Sequence, residues 1–430
     1  MLIEFRLKNY KSFAQEAILS LVPAAKLKGL DYSVLVAHGG RKKYKALCSS
    51  VVYGANASGK TNLIGAMETL RSIVLRGDIR DSKDIKTPNA ASGFLSLIPN
   101  RENNAKPVLF RIKFFVSGSL VEYELDFDLG EFLDEKYRRK ILTEKLALNE
   151  LDIFIRKENT LYIYTENLKK FRKYLLKDFQ ANVESALKLA ESSINREELF
   201  LKNGFKTMFS PKITSLLSEW FERKFIVIYH ADSIQRTSAA DEKILNEIVH
   251  QLGLHSTIIK YRTEEDKDKE SKLYSAITDD KGNIRKGILS EVYESYGTIR
   301  LINLLPLIIS VLKNGGVLAA DELDASIHPM ILMNIINIFH DNTLNVNHAQ
   351  LIFNTHNPVF LNSNIFRRDE IKFVEAANDS DMSILYSLSD FDVRKNEDYM
   401  KNYFVDRYGA IRDADFSPMI REMLNSHDKE

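Results

Sequence analysis

Between Gly54 and Thr61 the chain reads Gly-Ala-Asn-Ala-Ser-Gly-Lys-Thr, two glycines with four residues between them followed by a lysine and a hydroxyl. This pattern suits a phosphate chain. Small residues let consecutive backbone N–H groups wrap anionic oxygens, and a helix start adds positive potential. Lys60 would reach the outer phosphates and Thr61 would offer its hydroxyl to Mg²⁺, with Gly54, Ala55, Asn56, Ser58, Gly59 and Asn62 as the cradle. Far along the chain, the apolar run Val317 to Ala320 ends in Asp321 and Glu322. A carboxylate at a strand end can hold Mg²⁺ and its neighbour can polarise an attacking water. A third apolar run, Leu351 to Phe353, ends in Asn354, Thr355 and His356, placing an imidazole within reach of a γ-phosphate. Glu294 to Thr298, with Ser295 and Gly297, opens a long apolar stretch. It reads either as an anion-binding helix start or as a plain serine N-cap, and the residues alone leave both open.

These groups need elements to bring them together. Leu2–Lys8 and Ala17–Leu21 alternate as two half-buried strands, and Gly39 and Gly40 beside Arg41, Lys42, Lys43 and Lys45 predict a basic hairpin tip. Ser49–Tyr53 is a short buried strand feeding the Gly54 loop, and Thr61–Val74 has helical spacing. Alternation around Gly118, from Pro107 to Asp128, predicts an antiparallel hairpin. From 165 to 202 the period becomes helical, which marks a helical insertion at 151–224. Strand character returns at Lys224–Tyr229, a solvated loop runs from Glu264 to Lys272, and Asp280–Asn283 is a turn signal. Helices at Thr298–Leu312 and Met330–Phe339 then alternate with strands at Val317–Ala320, Gln350–Asn354 and Ile371–Glu375, giving an α/β second half.

Composition sets the outer bounds. The 430 residues are 44% hydrophobic and 28% charged, enough apolar material for a sizeable core. Sixty Lys and Arg against 59 Asp and Glu leave +1, which excludes a uniformly basic coat and allows only local basic patches. No run approaches the roughly 18 apolar residues of a membrane helix, and the charged start is unlike a signal peptide, so a cytoplasmic protein without membrane attachment is expected. The single cysteine, Cys48, reads as a core residue.

Taken in order, the Gly54–Thr61 loop, the Glu294–Thr298 segment, the Val317–Glu322 strand, the Leu323–Pro329 turn and Phe353–Pro358 resemble the Walker A, signature, Walker B, D-loop and switch-histidine series of ABC-type ATPases. The opening Phe5–Phe13 is similar to the first strand of the RecF/SMC/OLD branch. The tail, Leu388–Phe391 with Arg394, Lys395, Tyr403 and Arg407–Ile411, resembles the compact standalone RloA-like ATPases of bacterial phage-defence and abortive-infection loci. The resemblance implies an α/β P-loop NTPase of ABC type, a split two-lobe ATPase domain with an antiparallel β subdomain and a helical insertion. Its parts would be a first lobe at 1–150, the insertion at 151–224 and a second lobe at 225–430. ATP and Mg²⁺ would be the cofactors. Lys60, Glu322 and His356 would be catalytic, Thr61 and Asp321 would hold the metal, and Lys11, Ser12 and Asp324 would join the nucleotide site. Ser295 and Gly297 would close over the nucleotide of a second subunit, so that a homodimer sandwiches ATP and can assemble further. The implied role is a defence switch controlling a separately encoded effector, with a RecF/SMC-like DNA-binding repair ATPase as the alternative.

One departure stands out. The family pattern has a glutamine after the first-lobe hairpin, whereas the glutamines here are Gln15, Gln180, Gln235, Gln251 and Gln350. Either a carboxylate such as Glu144 substitutes or the ligand is missing, and slow hydrolysis is expected. The segment Arg156–Lys177 interleaves seven Lys and Arg with Tyr162, Tyr164, Phe171 and Tyr174, readable as a nucleic-acid face or as a solvated helix with its aromatics inward. His340, Asp341 and His348 fit no tight metal-ligand spacing, His328 belongs to the turn before a helix, and Asp413 and Asp415 read as a surface turn rather than a nuclease site. The insertion is too short and lacks the heptads for SMC arms, and a transporter cassette would not separate Lys60 so far from Asp321.

Overall fold

The computed structural model describes the chain except residues 26–28, 41, 81–96, 104–105, 131–137, 178, 180–181, 230–241, 252, 254–256, 264–270, 279–282, 378–381, 395–396, 412–414 and 427–430. The described strands are β1 (Leu2–Lys8), β2 (Ala17–Ser20), β3 (Val34–Gly39), β4 (Lys42–Leu47) and β5 (Ser49–Tyr53). Helix α1 (Lys60–Arg76) follows, then β6 (Val108–Val116), β7 (Ser119–Asp128), β8 (Lys140–Leu148), β9 (Leu151–Lys157) and β10 (Thr160–Ile163). After short helical segments come β11 (Phe225–Ile228), β12 (Thr257–Thr263), β13 (Ser271–Thr278) and β14 (Ile284–Leu289). Helix α2 (Tyr296–Asn314), β15 (Val317–Ala320), α3 (Pro329–His340), β16 (Gln350–Asn354), β17 (Ile371–Ala376) and β18 (Ser383–Ser387) follow, and short helices end the described chain.

Two sheets carry the architecture. The first is antiparallel, in the order β10-β9-β8-β7-β6-β1-β2. Its alternation is what makes it one-sided: Phe110, Ile112 and Phe114 point into the core, while Arg111 and Lys113 pair across the strand with Glu124 and Glu122. The second sheet runs β11-β15-β16-β5-β17-β18, parallel except for β18. Covered by α1 on one face and by α2 and α3 on the other, its strands β5, β15 and β16 are buried along their whole length, as a two-faced parallel sheet requires.

Gln350, at the start of β16, sews the two sheets together. Its amide donates to Leu2 O at 3.0 Å and Leu47 O at 2.8 Å, and its oxygen accepts from Leu2 N. Trp220 performs a similar task with apolar area, stacking between Phe114 at 3.7 Å and Phe225 at 5.0 Å. Truncating so large a buried ring costs about 3–5 kcal/mol.

Two expectations need correcting. The helical insertion does not start at 151: residues 151–157 and 160–163 are β9 and β10, and helix begins at Thr165. Ile153, Phe154 and Leu161 bury against the first sheet, so the alternation of its hairpins continues past 150. In addition, α2 has 19 residues of mean hydropathy 1.4, long and apolar enough to cross a membrane. It is nevertheless packed on β15 through Leu304, Leu307, Ile308 and Val311, and carries Arg300 in its second turn. The solvated loop read from Glu264 lies mostly outside the described residues, and the strands around it, β12–β14, form a separate three-stranded sheet.

Candidate nucleotide site

The phosphate loop is built by exclusion of side chains. A Cβ on Gly54 would lie 2.2 Å from Val374 O, and one on Gly59, at φ +108°, would lie 2.2 Å from Ser383 Oγ. A side chain at Gly54 would have to move the Val374 backbone, and one at Gly59 would have to displace the Ser383 and Ser12 hydroxyls and hold a left-handed φ. Lys60 at the helix start turns its amine onto Gly54 O and Ala55 O, each at 2.8 Å. Burial lowers its pKa to about 8, against the opposing pull of Asp321 and Glu322. Among the described residues Ser58 Oγ is buried without a hydrogen-bond partner.

Ser12, in the turn after β1, braces this loop. Its hydroxyl accepts from Asn62 Nδ2 at 2.8 Å, and its carbonyl accepts from Ser383 N at 2.7 Å. Ser383 in turn donates to Ser58 O at 2.5 Å. Ser383 carried no signal in the sequence. Lys11 takes another direction: its amine donates to Tyr229 OH at 2.9 Å, flanked by the rings of Tyr10 and Tyr229.

The carboxylate half arrives on the neighbouring strands. β16 lies between β15 and β5, so the residues ending β16 stand between Asp321 and the phosphate loop. Asn354 Nδ2 donates to Asp321 Oδ1, and Asn354 Oδ1 accepts from Glu322 N. Thr355 Oγ1 donates to Asp324 Oδ2 at 2.7 Å and accepts from Asn357 N at 2.9 Å. Glu322 has φ +46°, a left-handed conformation that costs a side-chain-bearing residue about 1–2 kcal/mol. His356 is exposed at the strand end, its pKa lowered by desolvation and by the charge of Lys60, with Glu322, Asp324 and Asp321 opposing. The chain therefore brings Lys60, Asp321, Glu322, Asp324 and His356 into one electrostatic neighbourhood at the carboxyl ends of parallel strands. Thr61 and Asp321 carry hard oxygen donors of the kind that a Mg²⁺ ion would take.

Ser295 and Gly297 open α2. Ser295 Oγ caps α2 by accepting from Thr298 N at 3.2 Å and is exposed, and among the described residues neither it nor Gly297 hydrogen-bonds to residues 54–61. A Cβ on Gly297 would lie 2.3 Å from Ser326 O, so the helix start rests directly on the Leu323–Pro329 turn. Arg300, which sequence reasoning passed over, donates from Nη2 to Glu322 O and lies 3.5 Å from Asp321 O. Desolvation lowers its pKa, opposed by the charges of Glu322, Asp324 and Asp321. Behind the cap, Glu294 accepts from Ser275 Oγ at 3.1 Å, tying the three-stranded sheet to Ser295.

Other candidates resolve as structural. Glu144 is fully buried, bonded by Tyr123 OH, Phe200 N and Leu201 N and facing Arg156 at 3.9 Å, so it does not replace the missing glutamine. Arg156 is buried too, donating to Glu158 O, Glu198 O and Asn195 O, and Phe171 is inside; both leave the predicted nucleic-acid face. His340 bonds Ser49 Oγ at 2.9 Å, and Ser49 donates to Glu370 at 2.6 Å, a self-satisfied polar cluster beside the buried thiol of Cys48. His328 caps α3 through Nδ1. Asp415 caps a turn by accepting from Ser417 N, while Asp413 lies outside the described residues.

No curated protein matches the chain. Among solved structures, it is similar to the SMC head domain from Thermotoga maritima at 15% identity, covering 90% of this chain and 98% of that one with a TM-score of 0.38. An SmcHead bound to the C-winged helix domain of ScpA gives 13% identity, 90% and 97% coverage and the same score of 0.38. Those likenesses are too loose to argue from. Residues 49–362, from the strand that feeds the phosphate loop to the turn after His356, match a family of ATPases, and the chain belongs to that family, described as "AAA domain, putative AbiEii toxin, Type IV TA system".

Proposed function

We propose that this chain binds and slowly hydrolyses ATP, and that two copies close head to tail around two nucleotides. The observation that carries the reading is a division of the site. Lys60, Asp321, Glu322 and His356 share one electrostatic neighbourhood at one chain's phosphate loop, while Ser295, exposed at the start of α2, and Gly297 make no hydrogen bond to residues 54–61 among the described residues. Lys60 holds the β- and γ-phosphates, and Thr61 and Asp321 hold Mg²⁺, which neutralises charge on the phosphate oxygens. Glu322 takes the proton of the attacking water, and His356 contacts the γ-phosphate. Ser295 and Gly297 of the second copy complete the anion shell from a helix start. With no glutamine to complete the water shell, and Glu144 engaged elsewhere, turnover is slow.

The role we infer is a cytoplasmic nucleotide-driven switch for a separately encoded effector in phage defence, of the RloA-like kind within the OLD branch. It rests on the Leu388–Ile411 tail and on the family's description as part of a toxin–antitoxin system. The test is light scattering and phosphate release on wild-type, Glu322→Gln and Lys60→Ala proteins. Expected are slow release by wild type, ATP-dependent dimers without release for Glu322→Gln, and neither for Lys60→Ala. Rapid unassisted turnover, or a Glu322→Gln protein that stays monomeric with saturating ATP, contradicts the reading. Tight salt-sensitive duplex binding by the ATP-bound Glu322→Gln protein would move the role towards DNA repair.

A further inference from the structure

With Arg156 and Phe171 inside, the exposed remainder of the basic segment has a definite shape. β10 is the outermost strand of the seven-stranded sheet. Leu161 and Ile163 turn inward, while Thr160, Tyr162 and Tyr164 turn outward, and Tyr164 N extends the ladder by donating to Ile153 O at 3.0 Å. Tyr162 is 52% exposed and Tyr164 39%. Tyr162 lies on β10 and Tyr164 directly follows it, where the chain turns into the helix at Thr165, so two exposed rings stand two residues apart at the sheet edge. Lys157 pairs in register with Thr160 and so shares that face. The turns that follow expose Lys170, Lys173 and Lys177.

A solvated helix with inward aromatics accounts for Phe171 but not for these tyrosines. Leaving two large rings in water at the sheet edge forgoes burial that the neighbouring Leu161 and Ile163 obtain. The charge is also local. Residues 157–177 hold six Lys and Arg against two Glu, in a chain whose net charge is +1. Within that stretch Glu166 answers Lys169.

We propose that this corner binds single-stranded nucleic acid, with Tyr162 and Tyr164 stacking successive bases and Lys157, Lys170, Lys173 and Lys177 following the phosphates. Sheet-borne aromatic rings beside a cationic track form a stacking platform for unpaired bases. Duplex DNA offers no free base face to the rings, and an acidic polypeptide would use the lysines and leave the tyrosines idle. The surface is separate from the nucleotide site, so it stands or falls independently of ATP hydrolysis.

The test is fluorescence anisotropy of a labelled oligothymidine of about 20 nucleotides, long enough for one platform, titrated with the full chain at several salt concentrations. Wild type is expected to bind, with affinity falling as salt rises. Tyr162→Ala with Tyr164→Ala should weaken binding by at least about 30-fold at unchanged salt slope, because two stacked bases are lost. Lys170→Glu with Lys173→Glu should instead flatten the slope. All four side chains are solvent-accessible, so melting curves and ATP-analogue binding should match wild type, and Lys60→Ala should still bind the oligonucleotide. Absence of wild-type binding overturns the proposal. So does a tyrosine double variant that binds like wild type, or equal competition by duplex DNA or polyglutamate.

Discussion

Asn354 holds Asp321 by donating its side-chain amide to Oδ1, and the oxygen of the same amide receives the backbone N–H of Glu322. One side chain on β16 thus fixes both carboxylate residues that end β15. Asn354→Ala removes both contacts, worth about 2–4 kcal/mol together. The expected outcome is a 30- to 1000-fold loss of phosphate release with ATP affinity retained. Asn354→Asp should be no better, since it sets a carboxylate against Asp321. Single-turnover hydrolysis beside equilibrium nucleotide binding checks both.

The buried amine of Lys60 predicts a pH dependence. Its folded pKa of about 8 lies below the ordinary 10.5, so it is charged at pH 7 in both the folded and the unfolded chain. Below pH 8, nucleotide affinity should be flat. Above it, binding takes up a proton, and affinity should fall by up to about tenfold per pH unit. Between pH 8 and 10.5 the unfolded chain binds more protons, so this group's contribution to stability rises with pH in that window. Calorimetric titration of an ATP analogue from neutral to alkaline pH should show the break, and Lys60→Ala should remove both the binding and the stability term.

Gly297 offers a test of the two-copy arrangement. An added methyl would meet Ser326 O at 2.3 Å, and a backbone oxygen cannot swing aside. Gly297→Ala therefore displaces the start of α2 from the turn beneath it. ATP binding by one chain should persist, whereas the ATP-dependent dimer of the Glu322→Gln background should disappear from light scattering.

Glu144 separates a structural from a catalytic carboxylate. Removing it leaves Phe200 N, Leu201 N, Tyr123 OH and the Arg156 guanidinium without their buried partner, at about 3–5 kcal/mol. Glu144→Ala should lower the denaturation midpoint and expose residues 165–224 to protease, while the remaining folded fraction binds ATP normally. A loss of hydrolysis at unchanged stability would return Glu144 to the metal site.

What the sequence disclosed followed from contiguity. The Gly54–Thr61 loop and the Asp321–Glu322 strand end are local patterns whose chemistry is carried by adjacent residues, and both lie where the fold needs them. Asn354 and Thr355 stood within a quoted motif, yet their work is a contact with residues more than thirty positions away. Arg300 and Ser383 act only through such contacts and had no signature at all. Arg156 misled for the opposite reason: a guanidinium in a basic run looks solvated until three backbone carbonyls and Glu144 receive it. At 151–163 the helical boundary failed because the change of period lies past Ile163, not at 150.

The position of β5 between β16 and β17 has a consequence for how the chain is made. The strand that feeds the phosphate loop leaves the ribosome early, but both of its neighbours are encoded after residue 349. At about 5–20 residues per second, β5 waits on the order of 15–65 s for partners, with its apolar length unpaired. β1 has its sheet partners β2 and β6 early, but its contact with β16 waits as well, because Gln350 makes it. Slowing translation before β16 should therefore cost soluble yield more than slowing it after β17.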